Sequence, residues 1–497
     1  MSQSAVIWTT IAVYIIFMAV VGFINKKRSK NISEFTVGDR NAGGWMSAFS
    51  YGTAYFSAVM FIGYAGGTGW NYGLWGIAAG IGNAVFGSLL AWLVLAKRTR
   101  EYTRRYEIKS MPQLFEQRFK SPAMKLFSVA VIFVFLLPYS ASVYKGLTSV
   151  CTVLLGVDEK VCMIVIAVAA ALVVIAGGYM ATLKADFAQG IIMLGGVIAL
   201  VVCIIKSEQV GGLTDGLKNI TTKTKELNLS ANQHIGLWAT VLMTSFGTWG
   251  LPQMIHKYYG IKDDKEVKRG TIVSTVFALI VAGGGYFIGS LSRLFYTEST
   301  MPAGGKDYLI PNMLAQAGLS DILIGIVLVL LIAASVSTLG SITITASTTL
   351  TMDFIQNKII KDKKKNIAPL TKIICAVFIV LSYVIANSDT PILDMMSYSW
   401  GIISGSFLAP YAISLYSKRI STIAAWAGML GGFLTAFPPL FAKLFAQNIT
   451  LGSFGNLKDM GPQFACAAII VSTILCLVVT KIAPAGTDKD KGGEITA

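Results

Sequence analysis

Apolar stretches of about 20 residues, separated by short polar connections, recur along the whole chain. Because a helix rises 1.5 Å per residue, about 20 apolar residues cross the roughly 30 Å hydrocarbon core of a bilayer. The first stretch, 6–25, has no small-residue cleavage site, so we interpret it as a retained helix rather than a signal peptide. The pattern predicts an all-α polytopic membrane protein with about 13 transmembrane helices, at 6–25, 45–66, 73–96, 124–150, 161–180, 185–205, 236–257, 271–295, 321–352, 370–388, 393–416, 421–445 and 462–481.

Two of these stretches are interrupted at mid-membrane depth. Residues 45–66 carry Gly52 and a cluster of Ser, Thr and Tyr side chains, and residues 244–254 (TSFGTWGLPQM) carry two glycines and Pro252. Unwound backbone inside a membrane is tolerated where its free carbonyls serve a site. Broken helices at corresponding places in two halves therefore indicate a transporter binding site.

The spacing of the two breaks predicts a five-plus-five inverted repeat. Each broken stretch opens a set of five predicted helices, and an odd number of helices per set inverts the second set. The resulting division is 1–44 (an extra helix and inner loop), 45–205 (first repeat), 206–235 (outer loop), 236–417 (second repeat), 418–482 (two further helices) and 483–497 (a disordered cytoplasmic tail).

The helix 321–352 is unusually rich in hydroxyl groups. Ten of the 21 residues in 333–353 (AASVSTLGSITITASTTLTMD) are Ser or Thr. One helical face carries Ala334, Ser337, Thr338 and Ser341, at i, i+3, i+4 and i+7. A row of neutral oxygens without a local carboxylate suits a weakly held monovalent cation better than Ca²⁺ or Zn²⁺. The hydroxyls at 343, 345, 347 and 348 are expected to bond within the helix or to support packing.

Composition and charge agree with a membrane protein. Hydrophobic residues make up 54% of the chain, charged residues 13%, and the mean hydropathy is +0.65. The net charge of +16 does not indicate a nucleic-acid partner, because most of the 41 Lys and Arg residues fall on one set of alternating connections. The positive-inside rule then places the N-terminus outside and the C-terminus in the cytoplasm of a multi-pass cell-membrane protein.

Four local patterns resemble the sodium/solute symporter family, which includes bacterial proline, pantothenate, sialic-acid and sugar transporters. They are GDRNAGGWMSAFS (38–50), GGYMATLKADFAQG (177–190), GTWGLPQMIHKY (247–258) and VSTLGSITITASTTLTMDF (336–354). The last pattern is the most specific. The resemblance runs over most of the chain and implies a leucine-transporter-type fold, alternating access and sodium-driven uptake of a small organic solute by a single membrane chain.

The resemblance also implies a sodium site between the first break and the hydroxyl-rich helix. Its ligands would be the backbone carbonyls of Thr53, Phe56 and Ala334 and the hydroxyls of Ser337 and Thr338. Five neutral oxygens replace the hydration shell of Na⁺ and still allow release.

Some family members hold a second, inner sodium ion, with an aspartate matching Asp186 and a serine matching Ser341. Gly340 stands where the clearest two-sodium members have a further hydroxyl, so one and two sodium ions both remain open. Asp186 has structural alternatives as well: it lies near the start of its predicted helix, where it would complement the dipole, and Lys184 is close enough to pair with it.

The positions that match the family's solute pocket are Tyr55, Ser57, Trp249, Gln253 and Ser397, with Tyr398 or Trp400 as aromatic neighbours. The chain departs from the characterised specificities. Proline transporters carry an acidic residue at Tyr55, sialic-acid transporters an arginine near Pro138 and Tyr139, and sugar transporters a glutamate near Leu74 and a glutamine at Ser397. A small neutral, zwitterionic or monocarboxylate solute is therefore expected.

Other classes of function remain as alternatives. A proton-coupled or uncoupled permease of the same fold would not respond to a sodium gradient. A channel would need a continuous polar lining, and an intramembrane enzyme would need a cluster of His, Asp or Glu at membrane depth, neither of which the sequence offers.

Overall fold

The structure, a computed structural model, describes residues 3–25, 40–362, 366–446, 448–452 and 455–484. These residues are almost entirely helical, and eight helices are long and apolar enough to cross a membrane. The tail from 485 and most of the predicted inner loop 26–40 lie outside the described residues, so their predicted character stays a prediction.

The helices have the following bounds, with 3₁₀ and π segments included: Gln3–Asn25, Gly44–Tyr55, Val59–Ala65, Gly66–Tyr72, Gly73–Gly76, Ile77–Gly82, Asn83–Leu90, Trp92–Ala96, Lys97–Arg105, Met111–Phe119, Pro122–Leu155, Glu159–Ile205, Leu213–Glu226, Ala231–Phe246, Gly247–Trp249, Pro252–Tyr259, Asp264–Phe295, Glu298–Thr300, Gly305–Tyr308, Leu309–Gln316, Asp321–Thr348, Thr349–Ile360, Ala368–Ala386, Ile392–Tyr416, Thr422–Ala436, Pro438–Phe445, Leu457–Asp459 and Gly461–Ile482.

Both predicted breaks are present in the backbone. The first broken helix (Gly44–Tyr55 followed by Val59–Ala65) opens at Phe56, whose backbone is extended with φ −106° and ψ 101°. The second broken helix (Ala231–Phe246 followed by Pro252–Tyr259) narrows to a 3₁₀ turn and then opens at Leu251, with φ −78° and ψ 120°. Pro252 starts the next segment because a proline at the first helical position has no backbone N–H to leave unpaired.

The sequence predicts two helices, at 161–180 and 185–205, but residues Glu159–Ile205 form one helix of 47 residues. The predicted non-helical connection between 180 and 185 is therefore wrong. A straight helix of this length would be about 70 Å long.

The two ends of this segment nevertheless lie close together. Glu159 lies beside Tyr308, and Gln209, just beyond the other end, donates a hydrogen bond of 3.3 Å to the Gln316 carbonyl. Tyr308 directly precedes the short helix Leu309–Gln316, and Gln316 is its last residue. The two ends of Glu159–Ile205 are therefore closer together than the ends of a straight helix of this length, so the segment is not straight.

The ends of the two broken helices meet at one face of the bundle, which we call the basic face because Lys97–Arg105 lies there. Ala42 N–H donates to the Gly260 carbonyl (2.9 Å), and Lys262 N–H donates to the Ala42 carbonyl (3.0 Å). The carboxylate of Glu266 accepts from Gly44 N–H (2.5 Å), where it complements the positive end of the helix Gly44–Tyr55.

The segment SMPQLFEQRF (110–119) forms a short helix on the basic face, Met111–Phe119. Asp353, at the end of the hydroxyl-rich segment, is buried and accepts hydrogen bonds from Ser110 Oγ (2.5 Å) and Gln113 Nε2 (2.7 Å). A carboxylate at the start of a helix is satisfied by its donors and dipole. Asp353 therefore anchors the short helix to the bundle.

The long helix Asp264–Phe295 packs backbone to backbone against the first broken helix. A Cβ atom added at Gly289 would overlap the Ala65 carbonyl, whereas one added at Gly283 of the same helix would meet no described heavy atom within 4 Å. Small residues at this contact allow the close approach of helices that membrane packing uses.

Gly289→Ala is expected to lower the thermal unfolding midpoint in detergent, because backbone atoms cannot yield to the added methyl group. Overpacking of this kind costs about 1–3 kcal/mol. Gly283→Ala is the matched control and should leave the midpoint unchanged or raise it slightly, since alanine is the better helix former. Equal effects of the two substitutions would contradict the packing described for Gly289.

Candidate ion- and solute-binding site

The first break lies against the middle of the hydroxyl-rich helix Asp321–Thr348, called the hydroxyl helix below. Thr338 Oγ1 contacts two backbone carbonyls, those of Thr53 and Ala334, each at 3.0 Å. Ser337 Oγ lies 3.0 Å from Thr53 Oγ1. Because the helix ends at Tyr55, the carbonyl of Thr53 has no partner one turn further on and turns to the neighbouring helix instead. Four of the five predicted sodium ligands thus come together.

Phe56, the fifth predicted ligand, is the residue at which the break occurs. Its extended backbone ends the helix, and its side chain packs between the rings of Tyr55 (4.2 Å between centroids) and Phe277 (6.4 Å). The stacked rings fix the peptide at the break, so the backbone oxygens near it are held in place before any ion arrives.

A second polar cluster adjoins the first through Ser337. The Asp186 carboxylate is fully buried; it accepts a hydrogen bond from Ser337 Oγ (2.5 Å) and another from Ser50 Oγ. The ammonium group of Lys257 lies 3.3 Å from Asp186 Oδ2 and 2.9 Å from Ser341 Oγ. The two residues of the predicted second sodium site, Asp186 and Ser341, are therefore joined by a lysine.

Lys257 is the site residue that sequence reasoning missed. Its position just after an apolar stretch suggested one more basic residue of an inner loop, yet it is only 3% exposed. The sequence suggested Lys184 as a partner of Asp186, and the structure shows the ammonium group of Lys257 as a partner, 3.3 Å from Asp186 Oδ2. The sequence did contain a signal for this pairing. Lys257 lies five residues after the proline of the second break, and an ionisable group within a membrane-spanning segment requires a counter-ion.

Aromatic side chains surround the first break. Trp400 lies 6.1 Å from Tyr55 and 5.6 Å from Tyr139, edge-on to the latter ring. Tyr55 donates through its hydroxyl to the Thr244 carbonyl of the second broken helix (2.6 Å). The predicted pocket residue Tyr55 therefore belongs to an aromatic group, with Trp400 and Tyr139, that touches both broken helices.

The other predicted pocket residues are spread over a wider region. Trp249 donates to the Phe86 carbonyl (3.0 Å), and Ser57 Oγ accepts from Val59 N–H within the break (3.3 Å). Ser397 Oγ donates to the Leu393 carbonyl of its own helix (2.7 Å) and lies 3.2 Å from the Tyr64 hydroxyl.

Tyr398 faces away from this group of residues. Its hydroxyl donates to the Lys458 carbonyl (2.7 Å), so Trp400 is the aromatic neighbour that reaches the break.

Two polar groups near the breaks have unused hydrogen-bonding capacity. Both ends of the Gln253 amide are buried without a hydrogen-bond partner among the described residues, and so is Trp400 Nε1. A buried polar group without a partner costs about 1–3 kcal/mol. These atoms are therefore the ones from which a bound solute would gain most.

The known proteins that this chain resembles are all described as transporters or symporters. A family model described as the sodium:solute symporter family matches residues 35–432. The osmoregulated proline transporter OpuE of Bacillus subtilis (strain 168) is 26% identical, covering 86% of this chain and 87% of that protein. The high-affinity proline transporter PutP of the same strain is 26% identical, covering 91% and 94%. A sodium/proline symporter of Staphylococcus aureus (strain bovine RF122 / ET3-1) is 25% identical, covering 96% and 93%.

Two solved structures share the architecture. A Na⁺-coupled sialic acid symporter in a substrate-bound outward-open state superimposes with a TM-score of 0.72 at 18% identity, covering 97% of this chain and 99% of that one. MHP1, a nucleobase-cation-symport-1 family transporter in a closed conformation, gives a TM-score of 0.57 at 11% identity, covering 92% and 97%. The fold of the chain is therefore that of leucine-transporter-type sodium symporters.

The Asp186–Lys257 pair should behave as one unit in a double-mutant cycle of Asp186→Asn and Lys257→Met. Removing one partner of a buried ion pair leaves a charge without its counter-ion and costs about 3–5 kcal/mol, whereas replacing both partners is often close to neutral. Thermal stability is measured in sodium-free choline buffer. We expect the loss in each single variant to be far larger than half of the loss in the double variant. Additive losses would contradict the pairing.

Proposed function

The chain belongs to the sodium:solute symporter family, and we propose that its coupling sodium ion binds where the first broken helix meets the hydroxyl helix. Members of this family are membrane transporters rather than enzymes, and the chain is a multi-pass membrane protein that couples sodium to the movement of a small organic solute. The two alternatives of another class, a channel and an intramembrane enzyme, are accordingly set aside.

The observation that supports this site best is the meeting of Thr338 Oγ1 with the carbonyls of Thr53 and Ala334. We propose these oxygens, with Ser337 Oγ and the Phe56 carbonyl, as the five sodium ligands. All are neutral, so the ion is held by oxygen dipoles rather than by a full negative charge at contact distance. Such a site binds a monovalent cation and releases it again, which a transport cycle requires.

We further propose about 13 transmembrane helices arranged as inverted repeats over 45–205 and 236–417, with the C-terminus in the cytoplasm. The basic face is then the cytoplasmic face. Release of sodium there requires the contacts of Ala42 with Gly260 and Lys262 to separate, because they tie the ends of the two broken helices together. A single chain contains both repeats, so we propose that the monomer is sufficient for transport.

For the solute we propose a small zwitterion of the amino-acid type, held between Tyr55, Trp400 and Gln253. Aromatic faces attract an ammonium group, and the Trp400 N–H and the Gln253 amide have donors to offer to a carboxylate. The described pocket residues contribute no charge, which suits a solute without net charge. The proline transporters among the relatives make proline the first compound to test.

Thr338→Val is expected to raise the sodium concentration for half-maximal solute uptake by about tenfold or more, since tenfold corresponds to about 1.4 kcal/mol of ligand energy. The substitution keeps the shape of the side chain and removes only the hydroxyl oxygen. Sodium-dependence curves in liposomes containing the purified protein would measure the change.

Thr348→Val is the matched control for this test, because Thr348 lies on the same helix and its hydroxyl, among the described residues, bonds only to carbonyls of its own helix, at 344 and 345. It should leave the sodium curve unchanged, and Thr338→Ser should restore most of the wild-type affinity. Identical curves for Thr338→Val and the wild type would exclude the proposed ligand, and an uncoupled permease would show no sodium dependence in any variant.

Proline or glycine betaine should raise the thermal unfolding midpoint in sodium buffer and not in choline buffer. At 100 times its Kd, a ligand that binds only the folded protein adds about 2.7 kcal/mol of apparent stability. Lactate and galactose are tested in the same way, as a monocarboxylate and a neutral solute.

Trp400→Phe should weaken the zwitterion effect, whereas Trp426→Phe, whose ring packs against Phe127, should not. Stabilisation by galactose alone would contradict the zwitterion proposal.

A further inference from the structure

The cluster around Asp186 contains a cation that belongs to the protein. The ammonium group of Lys257 lies within hydrogen-bonding distance of Asp186 Oδ2 (3.3 Å) and Ser341 Oγ (2.9 Å), and all three side chains are at most 5% exposed. These two oxygens are also the ones that a second sodium ion would need. Gly340, the preceding residue on the hydroxyl helix, has no side-chain oxygen to extend the set.

We propose that the Lys257 ammonium permanently takes the place of a second sodium ion, so that the protein binds one sodium ion per transport cycle. The inference rests on the proposed function, because it assumes that the first site binds sodium. It assigns Lys257 as a positioning residue that sets the number of coupling ions, a role distinct from that of the five proposed sodium ligands.

The balance of charge favours this assignment. One carboxylate and one ammonium group sum to zero, so the cluster is neutral as it stands. A sodium ion added beside Lys257 would leave one positive charge without a counter-ion in the interior of the bundle, where charges are stable only when paired. If the lysine were removed, the Asp186 carboxylate with Ser341 and Ser337 would form a negatively charged oxygen site that attracts a cation.

The pair also acts on the first site, through Ser337. A serine hydroxyl has one proton to donate and two lone pairs to offer. The short contact from Ser337 Oγ to Asp186 Oδ1 (2.5 Å) occupies the proton and leaves the lone pairs for a sodium ion near Thr53. Lys257, by holding the carboxylate in place, keeps that hydroxyl oriented.

The contact network around Asp186 joins both broken helices to the hydroxyl helix. Ser50 lies on the first broken helix, Lys257 on the second, and Ser337 on the hydroxyl helix, and Asp186 contacts all three. A tethered ammonium stays in the protein through the whole cycle, so a second ion need be neither bound nor released when these helices separate.

The test counts ²²Na⁺ ions bound at saturation by the purified protein in detergent, with sodium alone as the probe. We expect about one ion per wild-type chain, one for Lys257→Arg, which keeps the charge, and two for Lys257→Met. The double variant Lys257→Met/Asp186→Asn should bind one again, because the carboxylate that attracts the second ion is gone. Lys265→Met, which removes an exposed lysine eight residues away, is the matched control and should bind one.

Two bound ions in the wild type would overturn the proposal, and that measurement needs no variant, so it decides the matter even if Lys257→Met does not fold. A folded Lys257→Met protein that still binds one ion, with a sodium curve of unchanged steepness, would overturn it as well. A wild type that binds no sodium is a different result, since it would contradict the sodium site of the proposed function itself.

Discussion

A buried carboxylate with its counter-ion holds the centre of this protein together. Asp186 has lost all contact with water, and its hydration is replaced by Ser50, Ser337 and the ammonium of Lys257. An isolated charge at this depth would be too costly to keep, so each partner is required for the others to remain buried. Because the partners come from both broken helices and the hydroxyl helix, this one interaction aligns the elements that form the proposed ion site.

The breaks in the two helices supply what the aligned elements need to bind a cation. Ending the first helix at Tyr55 frees the Thr53 carbonyl, which meets Thr338 on the hydroxyl helix. Neutral oxygens gathered this way can replace water around Na⁺, and the neighbouring ion pair contributes no net charge that would trap the ion. The Gln253 amide, buried without a hydrogen-bond partner among the described residues, lies next to the second break, so the proposed ion and solute contacts each lie at an interruption of the helical backbone.

The local features of this arrangement could be predicted from the sequence, and the long-range ones could not. Glycine and proline within apolar stretches predicted both breaks, and helical spacing placed Ser337 and Thr338 on one face, because these signals are local. Lys257 was missed because its partner is 71 residues away in the chain, and only the tertiary fold brings an ammonium group to a carboxylate. Two helices, at 161–180 and 185–205, were predicted where the structure has the single helix Glu159–Ile205, since hydropathy reports depth and not local conformation.

The measurement that tests the account most directly is uptake, into liposomes containing the purified protein, of the solute that stabilises it. Uptake is compared with sodium and with choline outside at equal osmolarity. The account predicts accumulation above the external concentration only with an inward sodium gradient, and loss of that accumulation when an ionophore dissipates the gradient. Equal uptake in sodium and in choline would contradict it, because the oxygens gathered at the first break would then have no ion to couple.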